Sequence, residues 1–502
     1  MRQFKAGFVL ALILGGCTVG PDFVPPDDGA PAILGDLEGR KPISGKLAAS
    51  QPVAEAVDPV WWRLFGDPTL SALVERVAGE NLDVQLATTR LAESRAQLGI
   101  TSAAQFPQLR GSGSYFTQQA SNKGIFALLG PAAAGSRSGG IKGSKLQPFD
   151  LYSYGFDASW ELDLWGRVSR SIESSDATLA ASAEMRRDAL LSAMAEVARD
   201  YIQLRGVQAS LGIAANNLRT SQQSLGLVQE RAAAGLTNDL DVANASAQVS
   251  TIDAELPRLQ QQQAQLINAI GLLLGQEPGM VGAELLTAKP VPPVPPLVPV
   301  GLPGELARRR PDIRQAEAEL HSATAEIGVA VASFYPTVTL SGSIGIQALR
   351  AKDLTNWDAH QYSFGPAITI PIFEGGRLKA NLALHTAQQQ EAALKYQQVV
   401  LRSWHEVDNA LTAYDAEQHR REALARAVEL NRRALGLAQT RYSAGVADFL
   451  SVLEAQRSLL ATEQSLAEST AAVSGNLVSI YKALGGGWET AFPVDATIRQ
   501  QR

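Results

Sequence analysis

The sequence predicts an α+β membrane protein in which several chains share one β-barrel, and three observations lead there. Four segments alternate between apolar and polar residues, the pattern of strands with lipid on one side and water on the other. A proline-free helical stretch runs far beyond the length of a globular helix. Much of the chain also repeats itself at a constant offset.

The strands come first. From Tyr152 one face reads Tyr152, Tyr154, Phe156, Ala158, Trp160, Leu162, Leu164, and the other Ser153, Gly155, Asp157, Ser159, Glu161, Asp163, Trp165. From Val338 the apolar face is Val338, Leu340, Gly342, Ile344, Ile346, opposite Thr339, Ser341, Ser343, Gly345, Gln347. Residues 362–372 set Tyr362, Phe364, Pro366, Ile368, Ile370, Ile372 against a small and polar face, and 109–115 alternate more weakly. A sandwich core could present any one of these strands. Four together favour a membrane barrel, in which Asp157, Glu161 and Asp163 line the lumen or stand as solvated wall residues. Four strands cannot close a barrel, since at least about 8 are needed, and hydrocarbon does not tolerate an open edge. The chain must therefore assemble with others.

Residues 168–234 contain no proline and are rich in Ala, Gln, Leu and Arg. At 1.5 Å per residue such a helix is roughly 100 Å long, and its small residues suit close packing in a coiled-coil-like array. Helices alone would allow a filamentous coiled coil; the strands exclude it.

The repeat is visible as YSYGFDASWELDLWGRV from Tyr152 and YSFGPAITIPIFEGGRL from Tyr362, 210 residues apart. At that same offset Arg231 and Gly235 match Arg441 and Gly445, and Leu274-Gly275 matches Leu484-Gly485. Pro107 and Pro336 lie 229 apart, so the first half carries 19 extra residues, assigned to the Gly/Ser/Ala-rich stretch 127–145 as a flexible loop. Each half reads helix, strand, loop, strand, long helix, turn, helix. The Pro-rich stretch AKPVPPVPPLVPVGLPG between the halves cannot be helical.

The amino terminus carries Arg2 and Lys5, then the apolar run AGFVLALILGG, then Cys17, the only cysteine of the chain. That run is too short for a spanning helix and suits a secretory signal. A free thiol left by chance is the plain alternative; the order of charge, apolar run and small residues resembles a bacterial lipoprotein signal, which implies that Cys17 is acylated. Thr18 in place of Asp then favours the outer membrane. One cysteine excludes an internal disulfide. No later segment offers ~20 uninterrupted apolar residues, and the net charge of −6 gives no reason to expect nucleic acid. The five histidines show no metal spacing, and neither a GxSxG elbow nor a Walker loop is present. The expectation is a protein that is not an enzyme and needs no cofactor beyond the lipid.

With CTVGPDFVPP after the anchor, WWRLFGDPTLSALVERVAGENLDVQLA from Trp61, LPGELARRRPDIRQAEAEL from Leu302 and YSAGVADFLSVLEAQRSLL from Tyr442, the chain resembles the outer membrane factor family. These are the tunnel proteins of tripartite efflux pumps and type I secretion, and the likeness is strongest to the lipoprotein branch that serves resistance–nodulation–division pumps. It covers nearly all of the mature chain. The resemblance implies a homotrimer with a 12-stranded β-barrel, four strands per chain, and a long periplasmic α-helical barrel. It implies a lipid-anchored protein in the outer membrane of a Gram-negative bacterium, partnered by a periplasmic adaptor and an inner-membrane pump. The parts are a signal peptide (1–16), an anchor segment (17–60), a first repeat (61–275), a Pro-rich linker (276–304), a second repeat (305–485) and a tail (486–502). A mixed equatorial region would draw on residues 61–80, the linker and the stretch after Leu484.

The implied function is a passive exit duct for drugs or other small toxic compounds. The alternatives are a type I secretion duct for polypeptide or polysaccharide and, if the strands enter no membrane, a periplasmic coiled-coil scaffold. Gly235 and Gly445 read as helix C-caps, and Asn238 and Asp448 as N-caps, of two αα-hairpin turns. Gly235, Leu236, Gly445 and Val446 match the family's adaptor-docking tip. Asp241, Tyr442 and Glu454 match gate positions, while Ser451 stands where another acid is expected. Each has a plainer reading: Asp241 favours a helix N-terminus, Glu454 pairs with Arg457 one turn on, and Tyr442 packs. Arg308, Arg309 and Arg310 read as ion pairing at a helix start. Replacing Cys17 by Ser should abolish palmitate labelling while leaving assembly intact; label retained in that variant disproves the anchor.

Overall fold

The computed structural model describes residues 18–26, 50–53, 55–119, 121, 148–281, 283–301 and 309–493. Cys17, the inserted loop 127–145 and Arg308 lie outside these residues. In chain order the elements are β1 (Gln51–Val53), α1 (Pro68–Glu80), α2 (Leu82–Ser102), β2 (Gln108–Gln118), β3 (Phe149–Leu162), α3 (Arg167–Ala233), α4 (Asp239–Leu273), β4 (Leu297–Pro299), α5 (Pro311–Ala332), β5 (Thr337–Ala348), β6 (His360–Thr369), α6 (Arg377–Ser443) and α7 (Phe449–Leu484). Both α3 and α6 are 67 residues long, and α6 begins 210 residues after α3. No described helix is long and apolar enough to cross a membrane.

The chain divides into two units. The first contains Arg95–Thr178 and His321–Glu391 with the stretch up to Val24. Its centre is an antiparallel sheet in the order β2-β3-β5-β6. The register sets Tyr154 opposite Ile346, Phe156 opposite Ile344 and Trp160 opposite Leu340. It also sets Gly342 opposite Phe364 and Ile344 opposite Tyr362. One face is thus continuously apolar across three strands, and much of it is exposed. The other face is a field of small hydroxyls, with Ser114 bonded to Ser153 at 2.7 Å and Ser343 to Ser363 at 2.9 Å. Gly155 and Gly345 stand opposite each other on that face, where a Cβ on Gly155 would come within 2.5 Å of the Ile344 carbonyl oxygen. Only glycine permits so close a backbone approach.

Two strands are shorter than their alternation suggests. β3 ends at Leu162 because Asp163 turns to cap the next helix, accepting hydrogen bonds from the Val168 and Ser169 amides at 3.0 and 2.8 Å. β6 ends at Thr369, short of Ile372; Pro371 has no N–H to offer a ladder. Pro366 sits within β6, at the edge of the sheet, where a missing donor is tolerated. Glu161 holds Arg167 with paired hydrogen bonds. Of the three acids read as lumen or wall residues, two therefore serve the β3–α3 junction, and only Asp157 stays on the open polar face.

The second unit is Pro25–Ser94, Leu179–Leu320 and Ala392–Arg502. Its core joins residues remote in sequence: Trp61, Phe65, Leu70, Tyr201, Leu285, Val298, Tyr481 and Trp488 belong to one buried cluster. The WWRLFGDP stretch explains itself physically. Trp61–Phe65 forms a tight helical turn that ends on Gly66 at φ 63°. Asp67 then caps α1 through the Thr69 and Leu70 amides, with Pro68 in the first turn. The second Asp67 oxygen accepts the Tyr201 hydroxyl at 2.7 Å, and burial pushes that phenol up to about 12. Trp61 stacks on Tyr481 at 5.4 Å and donates its indole N–H to the Gly486 carbonyl. The Pro-rich linker makes a short helical turn at Ala283–Leu286, and beyond it Val291, Val294 and Val298 pack on this core, where β4 pairs in parallel with β1. Arg310 reaches Asp312, Glu406 and the Ala483 carbonyl, and Arg309 reaches Glu489 and the Val57 carbonyl, so these two arginines are structural ion pairs at the start of α5. Replacing Trp61 by Ala should cost about 3–5 kcal/mol, measured as a lowered temperature at which the second unit loses protease resistance.

Candidate docking tip and gate

The second unit holds both hairpin turns, and they are built alike. In α3–α4, Gly235 takes φ 69° and the Leu236 amide donates to the Arg231 carbonyl at 2.8 Å. In α6–α7, Gly445 takes φ 72° and the Val446 amide donates to the Arg441 carbonyl at 3.0 Å. These are glycine-terminated helix ends in which the sixth residue closes back on the first. A side chain at either glycine would be forced into a strained backbone region. Asn238 caps α4 through the Asp241 amide, and Asp448 caps α7 through the Ser451 amide. All four caps stand where the sequence places them.

The two caps divide their charge differently. In the first turn the cap is the neutral Asn238 and the acids are Asp239 and Asp241, the latter's carboxylate also accepting from the Thr237 hydroxyl. In the second, the cap is the acid Asp448, and Ser451 donates its hydroxyl to it at 2.7 Å. That bond holds the Asp448 carboxyl below the usual range. A second carboxylate at position 451 would face the first across the cap. Serine at the departing position instead donates a hydroxyl to the acidic cap.

Leu236 is 68% exposed and Val446 64%. Leu240 and Leu450, on the first turn of α4 and of α7, are exposed as well. Four apolar side chains at matched positions of two hairpins are thus exposed among the described residues.

Behind the turns, Tyr442 is buried at 6% exposure and packs against Phe449 at 5.5 Å. The Arg231 guanidinium lies over the tyrosine ring at 4.7 Å and donates to the Tyr442 carbonyl at 3.1 Å. One arginine therefore ties the end of α3 to the end of α6 by a cation–π contact and a charged hydrogen bond. Sequence reading found Arg231 only as a repeat partner of Arg441, because nothing local shows that its guanidinium reaches a residue 211 positions away. The expected Glu454–Arg457 pair does not form: Arg457 bonds Gln248 of α4 at 2.7 Å, and Glu454 is exposed with no ion pair among the described residues. Cross-helix packing offered Arg457 a nearer fixed acceptor than a solvated neighbour on its own helix. Replacing Ser451 by Asp should set a second carboxylate beside Asp448 and loosen the second turn, seen as faster proteolysis at residues 444–448, whereas Ala at that site should loosen it less.

A model of the outer membrane efflux protein family matches residues 73–276 and 302–486. The cation efflux system protein CusC of Escherichia coli O6:H1 is 31% identical, over 96% of this chain and 98% of its own. Outer membrane protein OprJ of Pseudomonas aeruginosa is 31% identical, over 96% of each chain. The solved outer-membrane channel OprN superposes with a TM-score of 0.85 at 34% identity, covering 94% of this chain and all of that one. With an amphipathic strand sheet, long helical hairpins and glycine-closed turns in that same order, the chain belongs to the outer membrane efflux protein family and is an efflux channel of the Gram-negative outer membrane.

Proposed function

We propose that this chain forms the exit duct of a tripartite efflux system as a homotrimer, lipid-anchored through Cys17. The observation that carries the assembly is the four-stranded sheet with one apolar face and two edges, β2 and β6, that have no partner strand among the described residues. Three copies joined edge to edge give the twelve strands of a closed barrel, which satisfies every ladder group in hydrocarbon. The helical hairpins of the three copies line the periplasmic part of the duct, and the matched halves of each chain make its wall a repeated one.

The exposed Leu236 and Val446, each beside its helix-ending glycine, are the docking tip. They offer a periplasmic adaptor a small apolar knob on every hairpin, six in the trimer. Asp241 and Glu454 face the aperture with Asp448, so each copy adds carboxylates to a ring that repels itself and favours cations. Ser451 moves one of those charges onto the cap and does not remove it. Arg231 and Tyr442 hold the aperture closed by tying two hairpins together, and their separation opens it. The protein does no bond chemistry. Its cargo is drugs or other small toxic compounds, with metal cations in view because CusC is named a cation efflux protein.

The test is a photo-crosslinking residue at Leu236 or Val446 in living cells. Capture of the adaptor of a resistance–nodulation–division pump supports this reading. Capture of an ABC-exporter adaptor replaces it with secretion of large cargo. No capture, in cells shown to express an adaptor, removes the docking tip.

A further inference from the structure

The stretch just after the lipid-attachment residue is not loose, and the contacts that hold it are unusually complete. It lies within the first unit, against the β3–α3 junction and against α5. The Val19 amide donates to the Trp165 carbonyl at 3.2 Å. Thr18 packs on Gly166, where a Cβ would come within 2.8 Å of its methyl group. Gly20, at φ 98°, lies so close to α5 that a Cβ on it would meet the Gly328 Cα at 2.6 Å. Gly328 in turn has the Arg170 side chain against it, at 2.8 Å from where its own Cβ would stand. Glycines at 20, 166 and 328 thus clear a narrow track through which an extended chain passes.

Polar and aromatic groups close that track. Arg170, only 4% exposed, gives one arm of its guanidinium to Asp22 and the other to Glu173 at 2.8 Å. Glu173 also contacts the His321 imidazole at 2.9 Å, and the Phe23 ring lies flat on that imidazole, 4.3 Å between centroids at 12°. The groups holding the segment come from both halves of the chain: Trp165, Gly166, Arg170 and Glu173 from the first, His321 and Gly328 from the second. Trp165 itself stacks on Tyr335 at 4.8 Å, a Trp–Tyr pair of the kind that settles at a membrane–water boundary.

We propose that residues 18–23 are a strap that seats in this track and fastens the two repeats together. Arg170 and His321 are its positioning residues. The strap stands on contacts among described residues and does not depend on the lipid reading of Cys17.

The test places a nitroxide at Val24→Cys in the full-length chain, since Val24 is 77% exposed at the strap's end. Acylated Cys17 leaves no other free thiol, so the count of labels per chain reads the lipid claim separately: one supports acylation, two overturns it without touching the strap. A seated strap gives a motionally restricted spectrum. The double variant Asp22→Ala with Phe23→Ala, which changes the strap and leaves its track intact, should convert it to a mobile one. His321→Phe, which keeps the ring stack, should stay near the parent, and His321→Ala should loosen it. A mobile spectrum in the parent, or a restricted one that the double variant leaves unchanged, overturns the proposal.

Discussion

A β-sheet in hydrocarbon must pair every N–H and C=O of its ladder, because no water is present to do so. In this chain β3 and β5 are paired on both sides, and β2 and β6 on one side only. The apolar face built from Tyr154, Phe156, Leu340, Ile344 and Phe364 suits lipid, but the two open edges do not. Most of what is distinctive here answers that demand. The opposed glycines at 155 and 345 let adjacent strands approach more closely than side chains would allow. A sheet of this kind is stable only as part of something larger.

The helical part faces a different problem. Four long helices end in turns that bury little, so each turn must hold itself by capping. Both use the same geometry, yet they place their charge differently, with Asn238 and Asp241 in one and Asp448 and Ser451 in the other. The repeat thus conserves the hydrogen-bond pattern while allowing donor and acceptor chemistry to shift by one turn. Arg231 adds a cation–π contact and a charged hydrogen bond between the two hairpin ends. Its repeat mate Arg441 is exposed, so two arginines related by the same offset have different work.

Arginine recurs wherever elements remote in sequence meet. Arg170 gathers the strap, and Arg310 gathers α5, α6 and the end of α7. Arg187 lies over Trp488 and donates to the Phe492 carbonyl. A planar guanidinium with five donors can serve a carboxylate, a carbonyl and a ring face together, which makes it suited to junctions where helix ends and extended segments converge.

Much of this protein was legible as sequence because its local signals are strong. Period-two alternation named the four strands, glycine followed by Asn or Asp named the turns and their caps, and proline density named the linker as extended. These are properties of a residue and its near neighbours, so they survive without knowledge of the fold. Strand ends were misjudged because alternation continues past Leu162 and Thr369, while the Asp163 cap on the following helix and Pro371 stop the ladder first. The fates of Glu161, Arg457, Arg231, Arg170 and His321 could not be read at all. Each is a polar side chain that reaches several ångströms to whichever partner packing brings near. The sequence by itself determined what each segment becomes and where the chain turns; the tertiary structure alone decided which charges are spent on holding the wall together and which remain free to face the channel.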